Sequence, residues 1–344
     1  MFSPKYTITH RLLANIKRIN TLINELNNRR FPHVVLLEFE REARAVSTYA
    51  STSIEGNPLP LTEVKKILKS KPAHIRDSEK EVLNYNQALQ NLEKLLKEGK
   101  ATLSLDLILQ IQKQVTNELL PSFESGSLRQ QAVVVNDPRT RQTAFLPPDL
   151  KDVKPLIEDL IEFISSNKNK IDPVILAGIF HKQMVLIHPF MDGNGRTTRL
   201  TTKVLLAEMG LDTFNLFSFE NYYNQNITRY FQTVGEFGNY YDLVEKTDFT
   251  SWLEYFAEGI IDELLRVQKL LPEVSITPET ELQPYHLKML EFIKTKGFIT
   301  DKDYARLTDR AKSTRAVDFQ KIISLGLIER KGKGRATYYI LKEK

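Results

Sequence analysis

The stretch from Val174 to Met209, VILAGIFHKQMVLIHPFMDGNGRTTRLTTKVLLAEM, constrains the fold more than any other in the chain. Asp172-Pro173 ahead of it supplies an N-cap and a proline at the first helical position, so a helix is expected to run on to His188-Pro189. Asn194-Gly195 alone would read as a hairpin turn. The residues after it, TTRLTTKVLLAEM, keep helical spacing up to Gly210 instead of strand alternation. The segment is therefore two helices joined by the loop HPFMDGNGR. A glycine-rich loop that feeds a helix N-terminus combines unpaired amides, a favourable dipole and close backbone approach, which makes a phosphate cradle.

Side chains around that loop suit the same chemistry. Arg196, Arg199 and Lys203 fall at i, i+3 and i+7 and are expected on one helix face beside the cradle. Asp192 offers the hard oxygen that Mg2+ bridging phosphates requires. His188 is the one group there whose ordinary pKa lies near neutrality, a candidate general base. No Walker loop or Rossmann fingerprint occurs. His181, two turns before His188, lacks the further ligands of a zinc site and is expected to be a buried, hydrogen-bonded support for the loop.

Elsewhere the first hundred residues read as helices. A helical pattern from about Val34 through LLEFEREARAVSTYASTSIE stops at Gly56, ahead of Asn57-Pro58. Glu55 then sits in a last turn, where the dipole is negative and a basic side chain would be expected. One strand pair is expected, GSLRQQAVVVND with RQTAFLPP, around the turn Asp137-Pro138-Arg139-Thr140. Residues 271–284 hold three prolines and no helical period, and read as a linker. After them come three short helical patterns, the second opened by a Thr300–Asp303 capping box, then an alternating hairpin around Gly332-Lys333-Gly334. The expected fold class is mainly α: an N-terminal helical region over 1–105, a core over 106–270, and a small α+β domain over 285–344.

No apolar run approaches a membrane span and the N-terminus lacks a signal-peptide layout, so a cytoplasmic protein without a membrane partner is expected. The absence of cysteine excludes disulfides, a thiolate nucleophile and a cysteine-based zinc site. The net charge of +5 is uneven: residues 301–344 carry twelve Lys/Arg against six Asp/Glu, which leaves the rest near neutral. A basic end on a neutral body points to a polyanionic partner there.

Residues 188–199, HPFMDGNGRTTR, match the signature HPFx(D/E)GNGRxxR at every specified position, and residues 30–265 resemble the Fic (Fido) family. The resemblance implies a helical core with a β-hairpin flap that aligns the substrate. It also implies transfer of AMP from ATP to a Ser, Thr or Tyr hydroxyl of a protein, with release of pyrophosphate. Carried over by position, His188 would deprotonate the hydroxyl and Asp192 would hold Mg2+. Gly193, Asn194, Gly195 and Arg196 would form the anion hole, with Thr197 beside them, and Arg199 would bind the γ-phosphate. Asn226 and Tyr230 fit the family's base-binding element, with Phe231 in place of a second tyrosine. Tyr240-Tyr241 is a rival pair, and core packing is the alternative for either.

Ser51-x-x-x-Glu55-Gly56 matches the family's inhibitory motif, (S/T)xxxE(G/N). The resemblance implies that Glu55 occupies Arg199, that Ser51 docks the helix and that Gly56 ends it. Without the downstream motif, Glu55 would read as a surface glutamate beside a C-cap. Members often pair, so a homodimer is also implied. Residues 284–344 resemble a winged helix-turn-helix, with Lys312, Ser313, Thr314, Arg315 and Lys321 on the recognition helix. Arg330, Lys331, Lys333 and Arg335 would lie on the wing, and DNA is the expected partner. A winged helix used for dimerisation or protein binding is the alternative. Two other functions compete with transfer: removal of AMP at the same site, and a DNA-binding regulator that senses nucleotide.

Overall fold

A computed structural model of the chain describes residues 2–28, 33–70, 72, 74–136, 143–271, 282–325 and 327–342. Contacts divide it into two units, Met1–Asn28 with Glu40–Leu270, and Arg29–Phe39 with Leu271–Lys344. In chain order the helices are α1 (His10–Asn27), α2 (His33–Ile54), α3 (Leu61–Lys69), α4 (Asp77–Lys97) and α5 (Leu105–Val115). The strands β1 (Val135–Asn136) and β2 (Thr143–Leu146) precede α6 (Leu150–Asn167), α7 (Pro173–Ile187) and α8 (Asn194–Leu206). Then come α9 (Glu220–Gln225), α10 (Ile227–Val234), β3 (Gly238–Asn239), α11 (Tyr240–Leu243) and α12 (Thr250–Leu270).

Helix α7 runs through the middle of the first unit. Asp172 caps it by accepting from Val174 N at 2.9 Å, and Pro173 fills its first position as the sequence predicts. It is apolar around most of its circumference and buried along nearly its whole length, which marks it as a core helix and not a surface one. Trp252 of α12 locks against it, donating its indole N–H to Gly178 O at 2.7 Å. Helix α8 is seated by Leu200 and Val204 in a cluster with Tyr85, Leu89 and Leu92 of α4 and Ile111 and Val115 of α5. These contacts fix the start of α8, and therefore the loop, to rigid elements.

The end of α2 is set by its own backbone. Gly56 N donates to Ser53 O at 2.9 Å and Asn57 N to Thr52 O at 3.1 Å, the paired bonds of a Schellman motif. Gly56 has a φ of +93°, a conformation that glycine adopts without strain. The expected strand pair is short. β1 and β2 pair antiparallel, Val135 opposite Phe145, and β2 adds β3 in parallel. Its turn, residues 137–142, lies outside the described residues.

In the second unit α13 (Pro284–Lys296), α14 (Asp301–Leu307) and α15 (Lys312–Ser324) precede the antiparallel strands β4 (Ile328–Lys331) and β5 (Tyr338–Leu341). Their core is Met289, Leu290, Ile293, Ile299, Tyr304, Phe319, Ile322 and Ile328. The capping box forms as expected: Asp303 N donates to Thr300 Oγ1 at 3.2 Å and Thr300 N to Asp303 Oδ2 at 3.1 Å. Residues 272–281 of the expected linker, and Gly326 after α15, lie outside the described residues. No helix among the described residues is long and apolar enough to cross a membrane.

Candidate active site

Helix α7 ends on His188, which caps it in the left-handed region at φ 50°, ψ 61°. That conformation is unusual for a residue with a side chain and is imposed in part by Pro189, which disfavours the helical region for the residue before it. Arg129, buried and far off in sequence, clamps the bend. Its Nε donates to His188 O at 2.9 Å, its amide to Pro189 O at 2.9 Å and its Nη2 to Pro148 O. The His188 ring sits with Nδ1 3.4 Å from Val185 O. A proton on Nδ1 satisfies that contact and leaves Nε2 as the acceptor. Burial pushes the imidazole down to about 4, so the ring is neutral at physiological pH.

Asn194 ties the loop shut. Its Oδ1 accepts from Phe190 N and its Nδ2 donates to Phe190 O, both at 2.9 Å. Its side chain thus faces inward, and what it offers an anion is its backbone amide. Gly193 begins α8 in the left-handed region, and no side chain caps the helix. The first-turn amides accordingly remain as donors for a ligand. Gln112 of α5 steadies the loop from beneath, donating to Asp192 O at 3.2 Å.

Arg196 is nearly buried and held from two sides. Nη2 lies 2.9 and 2.8 Å from the two carboxylate oxygens of Asp192, and Nη1 lies 2.8 Å from Glu81 Oε1. Nε is buried with no hydrogen-bond partner. Asp192 also accepts from Gly193 N at 2.6 Å. No group of three or more metal-ligating side chains gathers among the described residues. A lone, half-exposed Asp192 carboxylate suits Mg2+, which is usually shared between one or two carboxylates, water and substrate phosphates.

Arg199 is fully buried. Nε donates to Ser51 Oγ at 2.8 Å, and Nη2 donates to Ser51 O at 2.8 Å and Glu55 Oε1 at 2.7 Å. The guanidinium is thus the cation that the acidic end of α2 lacked in the sequence. Burial is the largest single influence and works against its charge, but Glu55, with Tyr230 and Tyr85 beside it, raises its pKa on balance. Nη1 has no hydrogen-bond partner. The Glu55 carboxylate stands directly over Gly195: a Cβ built there would meet Oε1 at 2.1 Å and Arg199 Nη1 at 2.9 Å. A side chain at 195 would therefore have to displace the Glu55 carboxylate.

Several expected residues lie elsewhere. Lys203 does not join the arginines at the cradle; it is buried, 3.2 Å from Glu220 and 3.0 Å from Phe217 O, because α8 turns that position into the core. Thr197 is fully buried and its amide donates to Gly193 O at 2.9 Å, so it belongs to the helix and not to the surface of the cradle. Tyr230 has no exposed ring face: it packs against Tyr223, Phe231 and Trp252, and its hydroxyl meets His181 Nε2 at 2.9 Å. Core packing, the alternative reading, holds for Tyr230. Asn226 is exposed and donates to Tyr222 O at 3.1 Å. Of the rival pair, Tyr240 is buried and Tyr241 exposed. His181 also meets Thr202 Oγ1 at 3.1 Å and is a buried, hydrogen-bonded support.

In the second unit Arg315 points away from solvent. Its Nε and Nη2 pair with the two oxygens of Asp301 at 2.8 and 3.0 Å, and Nη1 donates to Arg310 O at 2.7 Å. It ties α14 to α15 and is not a free recognition side chain. Lys321 is half-buried, Lys331 pairs with Glu329 at 3.0 Å, and Lys312 and Lys333 are exposed. The Arg335 side chain lies outside the described residues.

Sequence reasoning missed Glu81, Arg129, Gln112 and Asn57. Gln112 and Arg129 hold the loop, Glu81 holds Arg196 and Asn57 holds Glu81, each from a distant element, and none belongs to a motif that would have singled it out.

Both the sequence and the fold have relatives. The chain is 30% identical over 208 residues to the protein adenylyltransferase fic-1 of Caenorhabditis elegans, covering 59% of this chain and 39% of that protein. It is 29% identical over 217 residues to the protein adenylyltransferase Fic of Aedes aegypti, covering 58% and 42%. The chain thus spans about two fifths of the length of the curated relatives it matches. Among solved structures, a Fic family protein from Desulfovibrio desulfuricans G20 has a TM-score of 0.64 at 19% identity, covering 100% of this chain and 99% of that one. Fic-1 (residues 134–508) of C. elegans gives 0.59 at 23%, covering 75% and 72%. The fold is theirs. Residues 102–206 match the family model described as Fic/DOC family, and the chain therefore carries a Fic/DOC family domain.

Proposed function

We propose that the chain is a protein adenylyltransferase that transfers AMP from ATP to a Ser, Thr or Tyr hydroxyl of a target protein and is held off by Glu55. The observation that carries this reading is the Glu55 carboxylate bound to Arg199 above Gly195, an anion seated where a phosphate would go. Two buried guanidinium nitrogens without partners, Arg199 Nη1 and Arg196 Nε, fit the same anionic ligand. The curated relatives bear the name of that activity.

In this reading the target oxygen attacks the α-phosphorus, the bond to the β-phosphate oxygen breaks, and pyrophosphate leaves. His188 Nε2 takes the hydroxyl proton. The α8 amides and Arg196 hold phosphate oxygens, while Arg199 holds the terminal phosphate and so aligns the α-phosphorus. Asp192 would hold Mg2+, which neutralises phosphate charge when bound. With Glu55 on Arg199, that alignment is lost, because one guanidinium edge cannot serve two anions.

Incubating the Glu55→Gly protein with ATP labelled at the α-phosphate tests the reading. Label should pass to a protein, the chain itself or a lysate component, and His188→Ala should abolish it. A Glu55→Gly protein that binds ATP but labels nothing overturns it. Loss of AMP from a modified target in the unsubstituted protein, stopped by Glu55→Gly, would instead favour removal as the direction. Light scattering tests the implied pairing of two copies, and a cytoplasmic location accompanies this reading.

A second activity, duplex DNA binding through a winged-helix domain over 285–344, is favoured by the outer face of α15. That face exposes Lys312, Ser313, Ala316, Val317 and Gln320, and the helix's one carboxylate, Asp318, is buried. Asp318 there binds Arg310 at 2.7 Å and Tyr304 at 2.9 Å, so it adds no repulsion towards phosphates. Salt-dependent retardation of a DNA duplex by the full chain is the test. Unchanged mobility at low salt would leave protein binding as the role of this domain.

A further inference from the structure

Glu81 lies in α4, outside every motif that the sequence offers, yet its carboxylate reaches the phosphate cradle. One oxygen takes Arg196 Nη1 at 2.8 Å, and the other accepts from Asn57 Nδ2 at 2.6 Å. Asn57 is the second residue after Glu55, and it is itself fixed. Nδ2 also donates to Ser78 O at 2.9 Å, and Oδ1 accepts from Leu59 N at 3.1 Å. The platform beneath Glu81 is rigid: Val82 and Tyr85, on either side of the next turn, are wholly buried.

Arg196 has little freedom between its two carboxylates. Asp192 grips Nη2 and Glu81 grips Nη1, so the plane of the guanidinium is set and the buried Nε edge remains unpaired. Charge-assisted bonds at both ends hold orientation as well as energy. Burial raises the Glu81 pKa, and the nearby Arg196 charge opposes that rise. The same carboxylate that orients Arg196 also holds the turn that carries Glu55.

We propose that Glu81 is a positioning residue for the nucleotide phosphates: it fixes Arg196 in the cradle and, through Asn57, joins that arginine to the exit of the inhibitory helix. Glu81 touches no reacting atom and acts through Arg196. The inference rests on the nucleotide-binding reading of the site.

Its test uses the full chain with Glu55→Gly as parent, titrated with ATP and Mg2+ by calorimetry and followed for label transfer. Glu81→Gln keeps the shape and one acceptor oxygen but removes the charge. The dissociation constant for ATP and KM should both rise about tenfold, with kcat changed less than about twofold. Asn57→Ala leaves the Arg196 pair in place and should raise both about threefold. A Glu81→Gln protein that binds ATP as tightly as the parent, or more tightly, overturns the proposal. A fall in kcat at constant KM does so too. Should Glu81→Gln fail to fold, an unchanged KM in Asn57→Ala decides against it. If the parent binds ATP yet labels no protein, the transferase reading fails while the calorimetric comparison still judges Glu81.

Discussion

Glu55 and Arg199 meet at 2.7 Å, and the carboxylate occupies the space above Gly195. Arg199 is at the same time bound twice to Ser51, by Nε and Nη2. The contact therefore has a removable part and a fixed part: a side chain that can leave, and a helix end that carries a carbonyl. Positive charge at a helix C-terminus is favourable on its own, so the dipole of α2 adds to the two Ser51 bonds in holding Arg199.

The two parts predict graded release. Glu55→Gln removes the charge, and with it a charge-assisted hydrogen bond of about 1.5–3 kcal/mol. The initial rate of AMP transfer should rise at least tenfold. Ser51→Ala removes one neutral acceptor and leaves Ser51 O in place, so it should raise the rate only about two- to fivefold. Rates from ATP labelled at the α-phosphate, at subsaturating ATP, measure both. A larger effect from Ser51→Ala than from Glu55→Gln would mean that helix docking, not the carboxylate, is the block.

His188 predicts a flat pH response near neutrality. Burial holds its pKa at about 4, below the ordinary histidine value of about 6.5. Because the neutral ring is the base, transfer by the Glu55→Gly protein should be independent of this group from about pH 6 to 8. It should fall only as pH drops towards 4. The same shift has a stability consequence. The unfolded chain binds the proton more readily than the folded one, so this group costs stability as pH falls below about 6.5. Nitrogen-resolved NMR should report a neutral ring at pH 7 with its proton on Nδ1. A ring that titrates near 6.5 would contradict the burial.

What the sequence made legible was local. The stretch HPFMDGNGRTTR lies within one turn and one helix start, so the clustering of His188, Asp192 and both arginines could be read directly. Glu55 was legible because it breaks a local electrostatic rule at the end of α2. Residues that act across the fold were not. Arg129 clamps His188 from the segment before β1, and Glu81 reaches Arg196 from α4, contacts that only tertiary packing creates. Tyr230 and Arg315 misled for the same reason. One looked like a base contact until Trp252 and Tyr223 closed around it, and the other like a DNA contact until Asp301 took its guanidinium.

Lys203 and Glu220 predict a penalty that depends on which partner is lost. Both are buried, at 3.2 Å, and Glu220 also accepts from Tyr85 Oη at 2.9 Å. Lys203→Met leaves a carboxylate buried without its cation, and should cost about 3–5 kcal/mol in denaturant unfolding. Adding Glu220→Gln removes the stranded charge while keeping an acceptor for Tyr85. The double variant should therefore recover most of the loss. If the two substitutions are simply additive, the pair is not coupled.

Arg315 and Lys312 sit three residues apart on α15 but should behave differently. Arg315 is bound to both oxygens of Asp301 and to Arg310 O, so Arg315→Ala should lower the melting temperature. Lys312 and Lys333 are exposed, and their loss should leave the melting temperature unchanged. If the second unit binds duplex DNA, each phosphate contact contributes about 0.9 to the slope of log affinity against log salt. The Lys312→Ala, Lys333→Ala double variant should then flatten that slope by about 2. Val317→Ala and Gln320→Ala should alter preference among sequences with little change in slope, because base-edge contacts release no counterions. An unaltered slope in the lysine double variant would place the basic surface of this unit elsewhere.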